Sequence, residues 1–223
     1  MNFTDDGFAL IPDALDNSQV DALTEILAPL QIEGAAGTRN LLEHSAVCDW
    51  VRVPQMRALV EPTLGSNAFV ARAILFDKTP QSNWKVPWHQ DLSIAVQRQI
   101  EVAGFGPWSN KAGVPHVQPP TEVLEQMVTL RLHLDACGEE NGALRVLAGT
   151  HLLDKLSAPQ IAAERKRVAE TVCVLPRGGA LLLRPLILHA SSPAVSPAHR
   201  RVLHLEWAAQ DLPGALQWRS RVG

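Results

Sequence analysis

Cysteine is scarce in this chain and its spacing is irregular. The three residues, Cys48, Cys137 and Cys173, are odd in number, lie far apart and form neither a C-x-x-C pair nor a zinc-ribbon pattern. A disulfide framework is therefore not expected, and the three side chains are interpreted as reduced thiols. On this basis we expect a cytoplasmic protein.

Long apolar runs and an excess of positive charge are also missing. The chain has 20 Lys and Arg against 23 Asp and Glu, a net charge of −3, so we expect no nucleic-acid partner. The acidic N-terminus has no signal-peptide pattern, and the apolar segment around residue 184 is interrupted by Arg184 and Pro185, so we expect no membrane partner. A phosphate-binding loop is absent too, because Arg177-Gly178-Gly179 is not followed by Lys-Ser/Thr.

Helical periodicity is concentrated near the start of the chain, in what we expect to be a single domain of residues 1–223. Ser18, with Asp21 three residues later, is interpreted as the capping box of a first helix. A second helix is predicted over 54–64, closed by Gly65, and a third over 157–168. The apolar face of the first helix consists of Val20, Leu23, Leu27 and Leu30.

The rest of the chain is dominated by short segments that alternate like strands and are separated by Gly and Pro. This order predicts an all-β core, a sandwich or barrel, with flanking helices packed outside. Asn141-Gly142 is interpreted as a tight turn between two strands, and the Gly- and Pro-rich residues 104–120 as a long loop that serves as a lid or substrate-binding element. The predicted strands are 7–12, 67–78, 126–136, 171–176 and 199–209, with 180–190 either a strand pair or one strand kinked at Pro185.

Two of these strands carry polar side chains on one face. In 126–136, Thr129, Arg131 and His133 share a face that lines a wet pocket or lies in solvent. Arg72 shares a face with Ile74 in 67–78, and an inward arginine requires a carboxylate or another anion to meet it. These polar faces are candidate parts of a binding site.

A metal site is predicted from His89 and Asp91 in the segment Trp88-His89-Gln90-Asp91. On an extended strand, residues two apart point to the same side, so an imidazole and a carboxylate can bind one ion. His189 is a third candidate ligand near the other end of the chain. Two histidines and one carboxylate on one face of a metal suit a non-haem Fe(II) oxygenase, whereas an ordinary surface pair is the plain alternative for His89 and Asp91.

Such an iron site requires a co-substrate, and 2-oxoglutarate chelates iron while its distal carboxylate needs a cation. Arginine pairs with a carboxylate through two hydrogen bonds, and Arg200 and Arg201 lie eleven and twelve residues after His189. We expect one hairpin turn through residues 191–199 to place this pair on the adjacent strand. Periodicity does not say which of the two arginines faces the site.

Taken together, the motifs resemble the phytanoyl-CoA dioxygenase-like family of Fe(II)- and 2-oxoglutarate-dependent oxygenases. The resemblance rests on DGFALIP at 6–12, WHQD at 88–91, ENGALRVLAGTH at 140–151, LHASSP at 188–193 and HRRVLHLEWA at 199–208, in the family's order over nearly the whole length. It implies a double-stranded β-helix (jelly roll, cupin-like). It also implies that His89, Asp91 and His189 bind iron.

The same resemblance implies that Arg200 binds the distal carboxylate of 2-oxoglutarate and that Ser191 supplies its hydroxyl partner. Arg131 stands where family members often carry a tryptophan, so it contacts the co-substrate or the substrate, or the pocket differs. Binding of a CoA ester is not carried over, because no basic cluster in the sequence suits its phosphates. The candidate co-substrate residues are Arg200, Ser191, Arg131, Thr129 and Arg72.

The expected activity is hydroxylation of a small molecule by a dioxygenase that uses Fe(II), 2-oxoglutarate and O2 and releases succinate. A Zn(II) hydrolase on the same three ligands and a non-catalytic jelly-roll binding protein are the alternatives. The oligomeric state is not predicted. Candidate substrate contacts are the residues around the His89 strand: Asn83, Trp84, Lys85, Trp88 and Trp108.

Overall fold

The computed structural model describes residues 2–32, 35, 37–195 and 199–223. Its strands pair antiparallel in three sheets, and none of the described helices is long and apolar enough to cross a membrane. The strands are β1 (Phe8–Ile11), β2 (Gly37–Thr38), β3 (Phe69–Lys78), β4 (Val86–His89), β5 (Ile94–Ala95), β6 (Trp108–Lys111), β7 (Val114–Val117), β8 (Val128–His133), β9 (Leu144–Leu147), β10 (Glu170–Cys173), β11 (Ala180–Leu183), β12 (His189–Ser191) and β13 (Arg200–Ala208).

The helices agree with the predicted positions, except at the first cap. The first predicted helix begins after Asp16, whose side chain accepts from the backbone of Gln19 in a capping box, so the assignment of that box to Ser18 and Asp21 was wrong. Gly65 and Ser157 end and begin the other two helices as predicted. The α-helices are α1 (Phe3–Asp6), α2 (Asn17–Leu27), α3 (Ser45–Val51), α4 (Pro54–Leu64), α5 (Thr121–Glu125) and α6 (Ala158–Arg167), and 3-10 turns cover Ala28–Leu30, Leu41–Glu43, Glu139–Asn141 and Thr150–Leu152.

The largest sheet has six strands in the order β1-β11-β8-β13-β3-β2. One face of it is covered by helices, because Leu130 and Leu132 of β8 and Leu203 and Leu205 of β13 pack in one core with apolar residues of α2, α3 and α4. The opposite face looks into the molecule. Every residue of β8 is buried, so its polar face is an interior face and not a solvent-exposed one.

A four-stranded sheet, β10-β9-β12-β4, lies against the inner face of the six-stranded sheet. Phe8 and Leu181 from the larger sheet share a core with Val146 and Cys173 from the smaller one. Two antiparallel sheets packed face to face, with helices outside, confirm the predicted all-β core with flanking helices in a jelly-roll arrangement.

Several connections cross from one main sheet to the other at places where the sequence predicted that the flanking strands would be paired. Asn141 ends a 3-10 turn and Gly142 adopts a left-handed conformation (φ 68°), so the pair does lie between two strands as predicted. These strands, β8 and β9, lie in different sheets, so they are not paired as a hairpin. Residues 180–190 form a strand pair that is split between the two sheets. The predicted hairpin from His189 to Arg200 was also wrong, because β13 pairs with β3 and β8. Residues 196–198 of that connection lie outside the described residues.

The predicted long loop 104–120 contains a hairpin. Strands β6 and β7 pair antiparallel and, together with β5, make a third small sheet. Its two-residue turn, Ala112-Gly113, has positive φ at both positions (51° and 80°), as a type I′ turn requires. The absence of Asn at the first turn position and the prolines at 107 and 115 hid this hairpin from pattern reading.

Candidate metal centre

Strand pairing places the two candidate histidine ligands opposite each other. His89 ends β4 and His189 begins β12, and the register of these antiparallel strands pairs the two residues directly. Their imidazole rings lie 4.2 Å apart between centroids. Two residues separated by a hundred positions in the chain thus form one end of a site.

Asp91 completes the group from just beyond the end of β4. Its backbone N–H donates to the carbonyl of Pro185 at 2.9 Å, which holds the turn after the strand. Its carboxylate oxygens lie 3.6 Å from His89 Nε2 and 3.7 Å from His189 Nε2. The three candidate ligand atoms all lie within 4.8 Å of one another, so two nitrogens and one oxygen can reach one ion.

Hydrogen bonds to the backbone orient both imidazoles. His89 Nδ1 lies 2.9 Å from the carbonyl of Pro87, and His189 Nδ1 lies 2.9 Å from the carbonyl of Ile187. A carbonyl only accepts, so in the neutral ring Nδ1 carries the hydrogen and Nε2 keeps its lone pair. Both lone pairs point to the side of Asp91, which is the tautomer that metal ligation through Nε2 requires.

The local electrostatics favour a charge state that suits a cation. Burial lowers the pKa of His189 to about 4, so the ring is neutral at pH 7. Burial alone would raise the pKa of Asp91, but the neighbouring His189 and His89 hold it well below its usual range. For His89, the hydrogen bond and charge of Asp91 outweigh burial and raise the pKa. An ionised carboxylate beside imidazole nitrogens is a donor set that fits Fe(II).

Gln90, between the two ligands in sequence, points away from them and anchors the segment. Its side chain is buried and its Nε2 donates to the carbonyls of Asp154 and Leu186, both at 2.8 Å. Its Oε1 accepts from the backbone N–H of Leu156 at 2.8 Å. Three hydrogen bonds therefore fix the backbone between His89 and Asp91, a positioning role that sequence reasoning missed.

The three candidate ligands line a cavity of about 220 Å³ between the two main sheets. Its walls carry more cationic than anionic side chains. Glu206 and Asp91 are the carboxylates, and Arg72 forms an ion pair with Glu206 at 2.9 Å. The cationic side chains that line the cavity are Arg39, Arg72, Lys111, Arg131 and Arg200.

Arg200 lies at one end of this cavity and Arg201 lies outside it. Arg200 is 3% exposed, its Nη1 donates to the carbonyl of Gly142 at 2.8 Å, and its Nε has no hydrogen-bond partner among the described residues. Arg201 instead makes two side-chain hydrogen bonds to Asp135, at 2.7 and 2.9 Å. Of the two arginines, Arg200 has the inward face that binding of a carboxylate requires.

Ser191 and Lys78 adjoin Arg200. Ser191 Oγ donates to the carbonyl of Gly142 at 2.9 Å and lies 2.7 Å from Lys78 Nζ, which donates to it. A Cβ on Gly142 would lie 2.6 Å from the carbonyl oxygen of Ser192, so glycine is required there. Burial, and then the charge of Arg200, lowers the pKa of Lys78 to about 8. Lys78 was missed, although it shares the face of Arg72 and Ile74 in β3, and this periodicity could have found it.

The sequence profile of the phytanoyl-CoA dioxygenase (PhyH) family matches residues 3–202, most of the chain. The chain belongs to this family. It is therefore an enzyme of the class of Fe(II)- and 2-oxoglutarate-dependent oxygenases. No curated protein sequence matches the chain.

Solved structures share the fold of this PhyH family member at low sequence identity. One is AviO1 from Streptomyces viridochromogenes Tue57 (TM-score 0.68, 19% identity, 96% of this chain and 94% of that chain). A second is the epimerase SnoN in complex with Fe3+, alpha ketoglutarate and nogalamycin RO (0.68, 18%, 99% and 91%). A third is EctD from S. alaskensis with 2-oxoglutarate and 5-hydroxyectoine (0.68, 16%, 93% and 73%).

The middle of the cavity in this PhyH family member is formed by Arg131 and His204. Arg131 is buried, its Nη1 lies 2.9 Å from His204 Nδ1, and its guanidinium lies 5.5 Å from the ring centroid of Phe76. Arg131 thus lines the site as predicted. Thr129 is buried on the same strand and does not line the cavity, so its contact with the co-substrate stays a prediction without geometric support.

Of the five predicted substrate contacts, Trp84 lines the cavity and the other four do not. Asn83 holds the backbone of Ala194 through two hydrogen bonds, and Lys85 is exposed to solvent. The ring of Trp88 lies near the guanidinium groups of Arg145 and Arg165, 5.5 and 5.8 Å from its centroid. Trp108 packs in a separate apolar cluster. Proximity in sequence to His89 was a poor guide for these four residues, and for Trp88 the reason is that adjacent residues of a strand point to opposite faces.

Proposed function

We propose that this protein is a dioxygenase in which His89, Asp91 and His189 hold Fe(II), and that it hydroxylates a small molecule while 2-oxoglutarate is decarboxylated to succinate. The observation that carries the proposal is the convergence of two Nε2 lone pairs and one ionised carboxylate on one point, in a cavity that ends at Arg200. When bound, iron with 2-oxoglutarate and O2 supplies the oxidising power for attack on a C–H bond.

The chain's own residues bind and orient the reactants. Arg200 is placed to pair with the distal carboxylate of 2-oxoglutarate, and the Ser191 hydroxyl donates to the same carboxylate once it rotates away from the Gly142 carbonyl. Lys78 holds the Ser191 hydroxyl and adds a positive charge at the same end. Burial of these groups between two sheets excludes water and strengthens each of these electrostatic interactions.

A Zn(II) hydrolase on the same ligands is disfavoured by the cavity. A metal-bound hydroxide needs no carboxylate-binding cations, yet Arg200 and Lys78 are fully buried at one end of the site. A non-catalytic binding protein would not require the two backbone hydrogen bonds that select the ligating tautomers. A cytoplasmic location stays a prediction, consistent with three cysteines that form no disulfide.

Succinate release tests the proposal. The protein with Fe(II), ascorbate and O2 is expected to convert 2-oxoglutarate to succinate, slowly alone and faster with a substrate, and the same protein with Zn(II) is expected to be inactive. His89→Ala is expected to lose this activity, because one of three ligands is removed. Gln97→Ala, on an exposed surface residue, serves as the matched control. Turnover that survives in His89→Ala would refute the ligand assignment.

A further inference from the structure

The charges of the cavity do not balance. Five cationic side chains face two carboxylates, so three positive charges are uncompensated when the histidines are neutral. His204 is neutral in this arrangement, since its Nδ1 accepts from Arg131 and its Nε2 is directed to Glu206, 3.4 Å away. Arg131 and Arg200 are buried, whereas Lys111 is half-buried and Arg39 is exposed at the edge of the cavity. An excess of one sign around a cavity is unfavourable unless a ligand of opposite sign meets it.

Iron and 2-oxoglutarate do not remove this excess. The proposed Fe(II) adds two positive charges, and the 2-oxoglutarate dianion adds two negative ones, so together they leave the excess unchanged. Three positive charges therefore remain for whatever else enters the cavity. This group of cations is not visible as a basic cluster in the sequence, because the fold assembles it from separate strands and loops.

The excess charge lies in two places along β13. Arg200 is paired in register with Lys78, and Glu206 with Arg72, six residues further along the strand. Six residues of extended strand span roughly 20 Å, which is longer than a five-carbon co-substrate. A 2-oxoglutarate molecule held by Arg200 therefore does not reach the cations around Arg72.

Lys111 and Arg39 are the cations at the Arg72 end. Lys111 ends β6 in the small third sheet, and its Nζ donates to Ser93 Oγ at 2.6 Å, which leaves two N–H groups for a ligand. Arg39 follows the edge strand β2. Neither forms an ion pair with a carboxylate in the described ranges 2–32, 37–195 and 199–223, whereas the charge of Arg72 is matched by Glu206. Burial, and then the charge of Arg72, lowers the pKa of both Lys111 and Arg39, so the cations are close enough to repel each other.

We propose that the substrate carries an oxyanion group, a carboxylate, phosphate or sulfate, which Lys111 and Arg39 bind at the end of the cavity opposite Arg200. This inference rests on the proposed function, since it takes Arg200 to be occupied by 2-oxoglutarate. The Arg72–Glu206 ion pair lies at the same end of the cavity, where Glu206 matches the charge of Arg72 and leaves Lys111 and Arg39 to attract the anion. The substrate's reacting carbon then lies over the candidate metal site, between its anionic end and the co-substrate.

Binding of inorganic sulfate tests this charge preference without knowledge of the substrate. The protein is loaded with Fe(II) in the absence of oxygen, saturated with 2-oxoglutarate and titrated with sodium sulfate in a calorimeter. Saturable binding is expected, and Lys111→Gln and Arg39→Gln are each expected to weaken it about tenfold. Lys166→Gln and Arg98→Gln remove exposed cations that do not line the cavity, and are expected to bind sulfate like the parent.

The outcomes separate this inference from the proposed function. A loaded protein that binds 2-oxoglutarate but no sulfate would overturn the inference. Equal weakening in the control variants, or none in Lys111→Gln and Arg39→Gln, would do the same. If 2-oxoglutarate fails to bind while sulfate binds in a manner that requires Lys111, the anion site stands and the proposed function fails.

Discussion

At the scale of single residues, the site depends on which of two adjacent arginines points inward. Arg200 is buried beside Gly142 and Ser191, and Arg201 is paired with Asp135 on the other face of β13. Periodicity shows that neighbours on a strand face opposite sides, but the choice of side depends on which sheet covers the strand. For this reason periodicity predicted only the pair, whereas the family resemblance pointed to Arg200, and Arg200 is the one of the two that faces the cavity in the structure.

Arg200→Ala is expected to raise the KM for 2-oxoglutarate by about 30-fold or more, because loss of a buried charge-assisted hydrogen bond costs about 2 kcal/mol or more. Arg201→Ala is the matched control. It loses only a half-buried ion pair outside the cavity, so its KM is expected to stay within about threefold of the parent. Initial rates of succinate release at varied 2-oxoglutarate give both values. The reverse order would mean that the co-substrate binds elsewhere.

Lys78 makes the same end of the cavity sensitive to pH. Its pKa is lowered to about 8 by burial and by Arg200, so the ammonium group is charged below pH 8 and neutral above it. The KM for 2-oxoglutarate is therefore expected to rise as pH increases from 7 to 9. Lys78→Met is expected to have the higher KM already at pH 7 and to show no such rise. A rise that persists in Lys78→Met would assign it to another group.

At the scale of elements, the positions of helices and strands in the sequence were easier to predict than which strands pair with each other. Strand β13 and helices α4 and α6 follow from local alternation and capping residues, which short sequence windows contain. The sheet to which a strand belongs is decided by packing at a distance, and so β12 and β13 were wrongly placed side by side. The β6–β7 hairpin was missed because its turn uses Ala112-Gly113.

The identity of the N-terminal capping residue of α2 can be tested by measuring the free energy of unfolding of two variants. Asp16→Ala is expected to lower the free energy of unfolding by about 1 kcal/mol, because Asp16 accepts from the N3 backbone of the helix. Ser18→Ala removes only an exposed hydroxyl that donates to Asp16, and is expected to cost less than half as much. Urea unfolding measures both, with succinate release unchanged. A larger loss in Ser18→Ala would restore the predicted cap.

At the scale of the whole molecule, the two main sheets bring different parts of the site. The four-stranded sheet carries His89 and His189, and the six-stranded sheet carries Arg200, Arg131 and Arg72. The sequence allowed the ligands and Arg200 to be predicted as a set because each lies in a recognisable motif. Arg72 and Arg131 were predicted from strand alternation, whereas Lys111 and Arg39 come from segments with no pattern that indicates a site. A single domain over residues 1–223 stays a prediction.

Ligands that together bridge the two sheets should stabilise the whole fold. 2-Oxoglutarate should do so only after Fe(II) has bound. In the proposed site, Fe(II) would join strands of the smaller sheet through His89 and His189, and 2-oxoglutarate would join that iron to Arg200 of the larger sheet. A ligand at 100 times its Kd adds about 2.7 kcal/mol, which for a chain of this size is a rise in Tm of roughly 5–10 °C. Scanning calorimetry without oxygen is therefore expected to show one rise with Fe(II) and a second with 2-oxoglutarate only when Fe(II) is present. Arg200→Ala should keep the first rise and lose the second, whereas a 2-oxoglutarate effect that needs neither iron nor Arg200 would contradict the bridge between the sheets.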